Sequence, residues 1–155
     1  MRNRGLTLVL VAGLAGLSAV GCGGGSSYTE ASVTPWLQSQ AGPVAIVVEG
    51  AWQIVDWGGS TAQPDIWGFN GGVATPFPPV VLIGQTGQLG GSWEDSMLRG
   101  AQNGGHLIFV VLMDGVVGYT AHLDVLGDGR TATGWMCDGF VQAATTDCDT
   151  FTMVR

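Results

Sequence analysis

From Val44 to the C-terminus, no window of the chain carries apolar residues at the three-to-four spacing of an amphipathic helix. Apolar and polar residues alternate in twos instead, and glycine interrupts them every few positions. Such a chain must fold as strands. The joints "GQTGQ", "QNGG", "MDG" and "LGDGR" are short, and their Asn-Gly and Asp-Gly pairs suit tight hairpins. The strands expected are Val47 to Trp57, Asp65 to Asn70, Val80 to Gln85, Leu89 to Ser96, His106 to Asp114, Val116 to Leu126, Arg130 to Phe140 and Asp149 to Arg155. Joined in order they make a meander, which exposes two raw edges unless it closes. Closure of eight strands leaves an interior that side chains or one small ligand can fill. The expected fold class is all-β, an eight-stranded antiparallel up-and-down barrel with one short N-terminal helix.

That helix is read in "TPWLQSQAGP", with Thr34 as N-cap, Pro35 in the first helical position, and Gly42 and Pro43 ending it. Trp36 and Leu37 give it an apolar spot for docking. Further upstream, Arg2 and Arg4 precede an uncharged run from Leu6 to Val20, the layout of an export signal. The run is shorter than the roughly 20 residues that span a bilayer. Ser18-Ala19-Val20-Gly21 before Cys22 resembles the lipobox of bacterial lipoproteins, with Ala19 where leucine is commoner. The resemblance implies that Cys22 becomes the acylated N-terminus, carrying palmitate-type chains that hold the protein to a lipid bilayer. Gly23 then fits the outer membrane of a bacterial envelope better than the inner one. The organisation expected is a signal peptide over 1–21, a lipidated cysteine and flexible tether over 22–34 beginning "CGGGSS", and the barrel over 35–155.

Loss of the signal removes two of five cations and leaves Arg99, Arg130 and Arg155 against twelve carboxylates. Such a surface repels nucleic acid and anionic headgroups, and leaves a cationic protein open as a partner. With Cys22 assigned to lipid, Cys137 and Cys148 remain as a pair in an exported chain, and a disulfide is expected between them. They lack the Cys-x-x-Cys spacing of a metal or redox site.

Gly50-Ala51-Trp52 at the start of the first long strand, together with the closing Arg155, resembles the calycin superfamily of lipocalins, fatty-acid-binding proteins and avidins. The resemblance implies that Trp52 packs across one closed end of the barrel beneath the Arg155 cation. It also implies that the short helix caps that end. "GQLGGSWEDS" and "DTFTMV" are similar to the third and eighth strands of bacterial avidins. Ile54, Trp93 and Asp95 stand where that family has its ligand-binding asparagine, tyrosine and serine, however, and only Asp149 matches. Biotin binding is therefore not expected.

Catalytic patterns fail on residue type. Ser92 lacks the second glycine of a nucleophile elbow, and Glu94 and Asp95, as strand neighbours, point to opposite faces. His106 and His122 lie on adjacent strands without further ligands, which favours solvated histidines over zinc. Asp124 and Asp128 lack the alternation of a calcium loop. No enzyme, metal or cofactor is expected. The rings of Trp57, Trp67, Phe69, Trp93, Phe109, Tyr119, Trp135 and Phe140 could line a pocket for a small hydrophobic ligand, with Trp67, Trp93, Tyr119 and Trp135 as its candidate binding residues. Two other functions compete: inhibition of a cationic hydrolase such as a lysozyme or protease, and a structural interaction module of the envelope. The Ser-Gly-x-x-Tyr signature of lysozyme inhibitors lacks its serine in "GVVGYTA".

Overall fold

The computed structural model of the protein describes residues 27–58, 60–61 and 77–155. These form one helix, α1 (Glu30–Gln40), and nine strands: β1 (Gly50–Trp57), β2 (Ser60–Thr61), β3 (Val80–Gln85), β4 (Gln88–Trp93), β5 (Ser96–Asn103), β6 (His106–Met113), β7 (Val116–Val125), β8 (Thr131–Asp138) and β9 (Asp149–Val154). All pairings between these strands are antiparallel. β1 pairs with β3, each later strand pairs with the next, and β9 returns to β1, so eight strands close into a barrel while β2 extends β1 at its end. Closure removes the free edges that an open meander would present.

The strand count matches the expected barrel, but its membership differs. The pattern from Leu89 to Ser96 reads as one strand. The chain instead turns at Glu94 and Asp95 and returns as β5. Glu94 takes a left-handed φ of 50°, a turn position usually held by glycine, so no local signal marked it. The expected strand Asp65 to Asn70 falls outside the described residues.

Alternation along the strands sends Leu82, Leu98, Leu107, Phe109, Leu123 and Phe151 into the barrel, where each is almost wholly buried. Two bulges adjust it. One lies between Ile54 and Asp56 against β9, and it lets Trp57 point inward three residues after Ile54 where strict alternation would have sent Asp56. The other lies between β6 and β7 and spans Gly118. It turns Val117 out of the barrel while Tyr119 stays against the interior.

The helix does not cap an end. It lies along the outer wall, where Val33 and Leu37 join Ile108, Val110, Leu112 and Val117 in a second apolar cluster, with Trp36 and Phe140 at its margin. β6 is therefore buried on both faces, as its near-continuous apolar run requires. α1 also begins earlier than Thr34 implied. Its N-cap is Thr29, whose backbone N–H donates to the Ser32 hydroxyl at 2.9 Å, and Pro35 sits inside the helix. Tyr28 packs on Phe140 at 4.8 Å between ring centroids, and Thr29 bridges Val116. Residues from Tyr28 onward thus belong to the folded body rather than to the tether. Cys137 and Cys148 are joined by a disulfide with their Cα atoms 4.4 Å apart.

Candidate functional site

The two ends of the barrel differ in chemistry. At the end where β1 begins, Trp52 is fully buried and its indole N–H donates to the Val48 carbonyl at 2.8 Å. The Arg155 guanidinium carbon stands 4.9 Å from the centroid of that ring. Arg155 also donates to the carbonyls of Gly129 (2.9 Å), Glu49 (3.2 Å) and Val47 (2.8 Å), so one side chain binds the approach to β1 to the β7–β8 turn. Beside it the buried Gln102 amide donates to Ile46 (2.6 Å) and Gly104 (2.9 Å). Every one of these donors is spent on backbone, and the end is sealed.

The opposite end is built of rings. Trp57, aimed inward by its bulge, lies 5.9 Å from Phe77, 5.5 Å from Trp93, 5.5 Å from Tyr119 and 5.6 Å from Phe151, centroid to centroid. Trp93 and Tyr119 are 6.3 Å apart. These spacings and tilts are those of attractive aromatic pairs. A crevice of about 60 Å³ opens among Phe77, Trp93, Glu94, Ser96, Val111, Met113 and Tyr119. Burial, reinforced by the Asp138 carboxylate, raises the pKa of the Tyr119 phenol above its ordinary 10.0, so it stays protonated and able to donate. A larger depression of about 500 Å³ lies on the outer wall over Gly90 and Gly91, but it is shallow and brings no buried polar group to bear.

Of the four rings expected to line a pocket, Trp93 and Tyr119 do so. Trp135 does not. In β8 the inward set is Ala132 and Met136, so Trp135 faces outward, 43% exposed and opposite His122. Trp67 and Cys22 lie outside the described residues. Trp57, one of the wider set of candidate rings, and Phe77, which was missing from that set, complete the cluster. Trp57 was obscured by the bulge, whereas Phe77 sits among prolines with no strand pattern.

The histidines part company. His106 Nδ1 meets the Asp124 carboxylate at 2.8 Å on the surface. His122, expected in solvent, is 8% exposed, bonds the Val141 carbonyl at 2.7 Å and lies edge-on to Trp36 at 6.4 Å. Outward-facing on β7, it is covered by α1 and by the loop that follows β8. Burial lowers its pKa below 6.5, with His106 contributing in the same direction and the Val141 carbonyl opposing. Among the described residues no three His, Cys, Asp or Glu side chains gather as a metal site. No described helix is long and apolar enough to cross a membrane.

The barrel and its ring-lined mouth define a small closed antiparallel β-barrel protein with one end suited to an apolar guest. Compared with protein-family models, curated proteins and solved structures, the chain finds no match.

Proposed function

We propose that the protein is a lipid-anchored lipoprotein of a bacterial envelope, outer membrane rather than inner, whose lipocalin-like barrel binds a small apolar ligand at its aromatic end. The observation that carries this reading is the cluster in which Trp57 packs against Phe77, Trp93 and Tyr119, the three rings that line the crevice. Apolar walls with one or two placed donors are the usual make-up of a small-molecule site. The opposite end supports the same assignment, because there Trp52, Gln102 and Arg155 are engaged with backbone carbonyls among the described residues. Anchoring through acylated Cys22 is the reading of the N-terminal sequence.

A neutral naphthylamine dye should bind saturably with a rise in emission, and Trp93→Ala should weaken it at least tenfold. Absence of saturable binding to the wild-type chain would remove the ligand-carrier reading. A second reading, inhibition of a cationic hydrolase, is favoured by the acidic turns Glu94–Asp95 and Asp114–Gly115 at the same end, where Glu94 and Asp114 hold left-handed φ values of 50° and 52°. Dose-dependent loss of lysozyme activity, absent in a Glu94→Gln/Asp114→Asn double variant, would establish it in place of the first.

A further inference from the structure

Ligand binding at the mouth leaves the chemistry of the ligand open, and one atom there constrains it. The indole N–H of Trp93 is the sole buried side-chain nitrogen or oxygen among the described residues that lacks a hydrogen-bond partner. The others are paired: Trp52 to Val48, Gln102 to Ile46, Thr120 to Gly139 and His122 to Val141. A buried donor without an acceptor loses its hydration and gains nothing in return, so native chains rarely keep one without a use. Trp93 is 8% exposed and its ring walls the crevice. The phenol of Tyr119, held in its protonated form, lines the same space.

Charge narrows the choice further. Glu94 forms part of the wall, Asp95 follows it in the turn, and Asp138 stands across the ladder from Tyr119. No described cation answers them. Arg99 is engaged with Glu30 at 2.7 Å, and Arg155, with Arg130 near it, is at the sealed end. A carboxylate entering this mouth meets like charge in a poorly hydrated site. At about 60 Å³ the space admits roughly four or five water-sized groups, enough for the end of a molecule rather than all of it.

Resting on the ligand-binding reading, we propose that the crevice takes the neutral, hydrogen-bond-accepting end of a small apolar molecule. A ketone or amide carbonyl is the fitting group, its oxygen accepting from the Trp93 indole N–H, and carboxylates are rejected. Three probes of one size test this: acetophenone carries the acceptor, ethylbenzene lacks it and benzoate carries a charge. Each is titrated into the full chain labelled with ¹⁵N-tryptophan.

Acetophenone should bind about tenfold tighter than ethylbenzene, shift the Trp93 indole proton downfield, and outbind benzoate by more. Trp93→Phe should bring the ratio of acetophenone to ethylbenzene affinity to about one, whatever it does to both together, and Glu94→Gln should improve benzoate. Equal affinities of acetophenone and ethylbenzene for the wild-type chain, or an unmoved Trp93 indole resonance, would overturn the acceptor assignment and leave ligand binding standing. A tighter fit for benzoate would overturn the charge assignment. Failure of all three probes to bind would instead sink the ligand-binding reading. The wild-type comparison decides each point even if a variant fails to fold.

Discussion

His122 shows how much one burial decision changes a residue's behaviour. Alternation along β7 sends it outward, away from Ala121 and Leu123, and on an uncovered barrel it would be solvated. Here α1 and the loop after β8 cover it, and its Nε2 is fixed on the Val141 carbonyl. Its pKa in the folded protein lies below the ordinary 6.5, chiefly because burial penalises the imidazolium. Between that lowered value and 6.5 the unfolded chain binds more protons than the folded one. Stability is therefore fully present above about pH 6.5 and declines as the pH falls toward the folded value. Urea unfolding midpoints should drop between pH 7 and pH 5, and His122→Gln should flatten that dependence. A pH-independent midpoint in the wild-type chain would contradict the burial argument. No pattern in the sequence revealed this residue's role, because its cover comes from elements distant in the chain.

At the level of elements, the strands with clean alternation and glycine-marked turns were the legible ones. β3 runs over the residues its pattern indicated, and β6, β7, β8 and β9 end within a residue or two of expectation. What failed was punctuation that carries no glycine or proline. The β4–β5 hairpin turns through Glu94, and α1 is capped at Thr29, where Ser32 supplies the partner for the cap's backbone, ahead of the Thr34-Pro35 signal. The bulges leave no mark in a period-two pattern, even the one at Gly118, and the bulge in β1 hid the inward aim of Trp57.

Glycine also serves a second purpose in β4. Gly91 has φ +147°, and a methyl group there would strike the Val81 carbonyl oxygen on the paired strand. Gly91→Ala should destabilise by about 2–4 kcal/mol, since it combines backbone strain with a steric conflict against backbone that cannot swing aside. Thermal unfolding reads the loss, with Gly127→Ala, where nothing lies within 4 Å, as the comparison expected to change little.

For the whole molecule, closure is the governing property. β1 and β9 meet through Ile54–Met153 and Trp57–Phe151, uniting the first and last strands of the described chain. Backbone amides in these two strands should therefore exchange as slowly as those of β6 and β7, by global unfolding alone. Arg155→Gln, which removes the cation over Trp52 and bonds to three carbonyls, should lower global stability by about 1–2 kcal/mol and speed exchange in β1 and β9 first. Fast exchange confined to β1 and β9 in the wild-type chain would mean that the ring of strands is breached at that joint. Barrel closure was foreseeable from strand number and from the Trp52–Arg155 resemblance. The make-up of the mouth was not, since it depends on where bulges and turns direct individual rings.

The placement of α1 also gives the molecule a fixed polarity. Tyr28 lies beside the β6–β7 turn at the ring-lined end, the helix carries the chain down the wall to Gln102, and the chain finishes at Arg155 on the far side. Cys22 is six residues from Tyr28, a reach of about 20 Å at most. Under the proposed lipid anchor, the membrane would be kept within a short leash of the ring-lined entrance, with the Arg155 end of the barrel turned away from it.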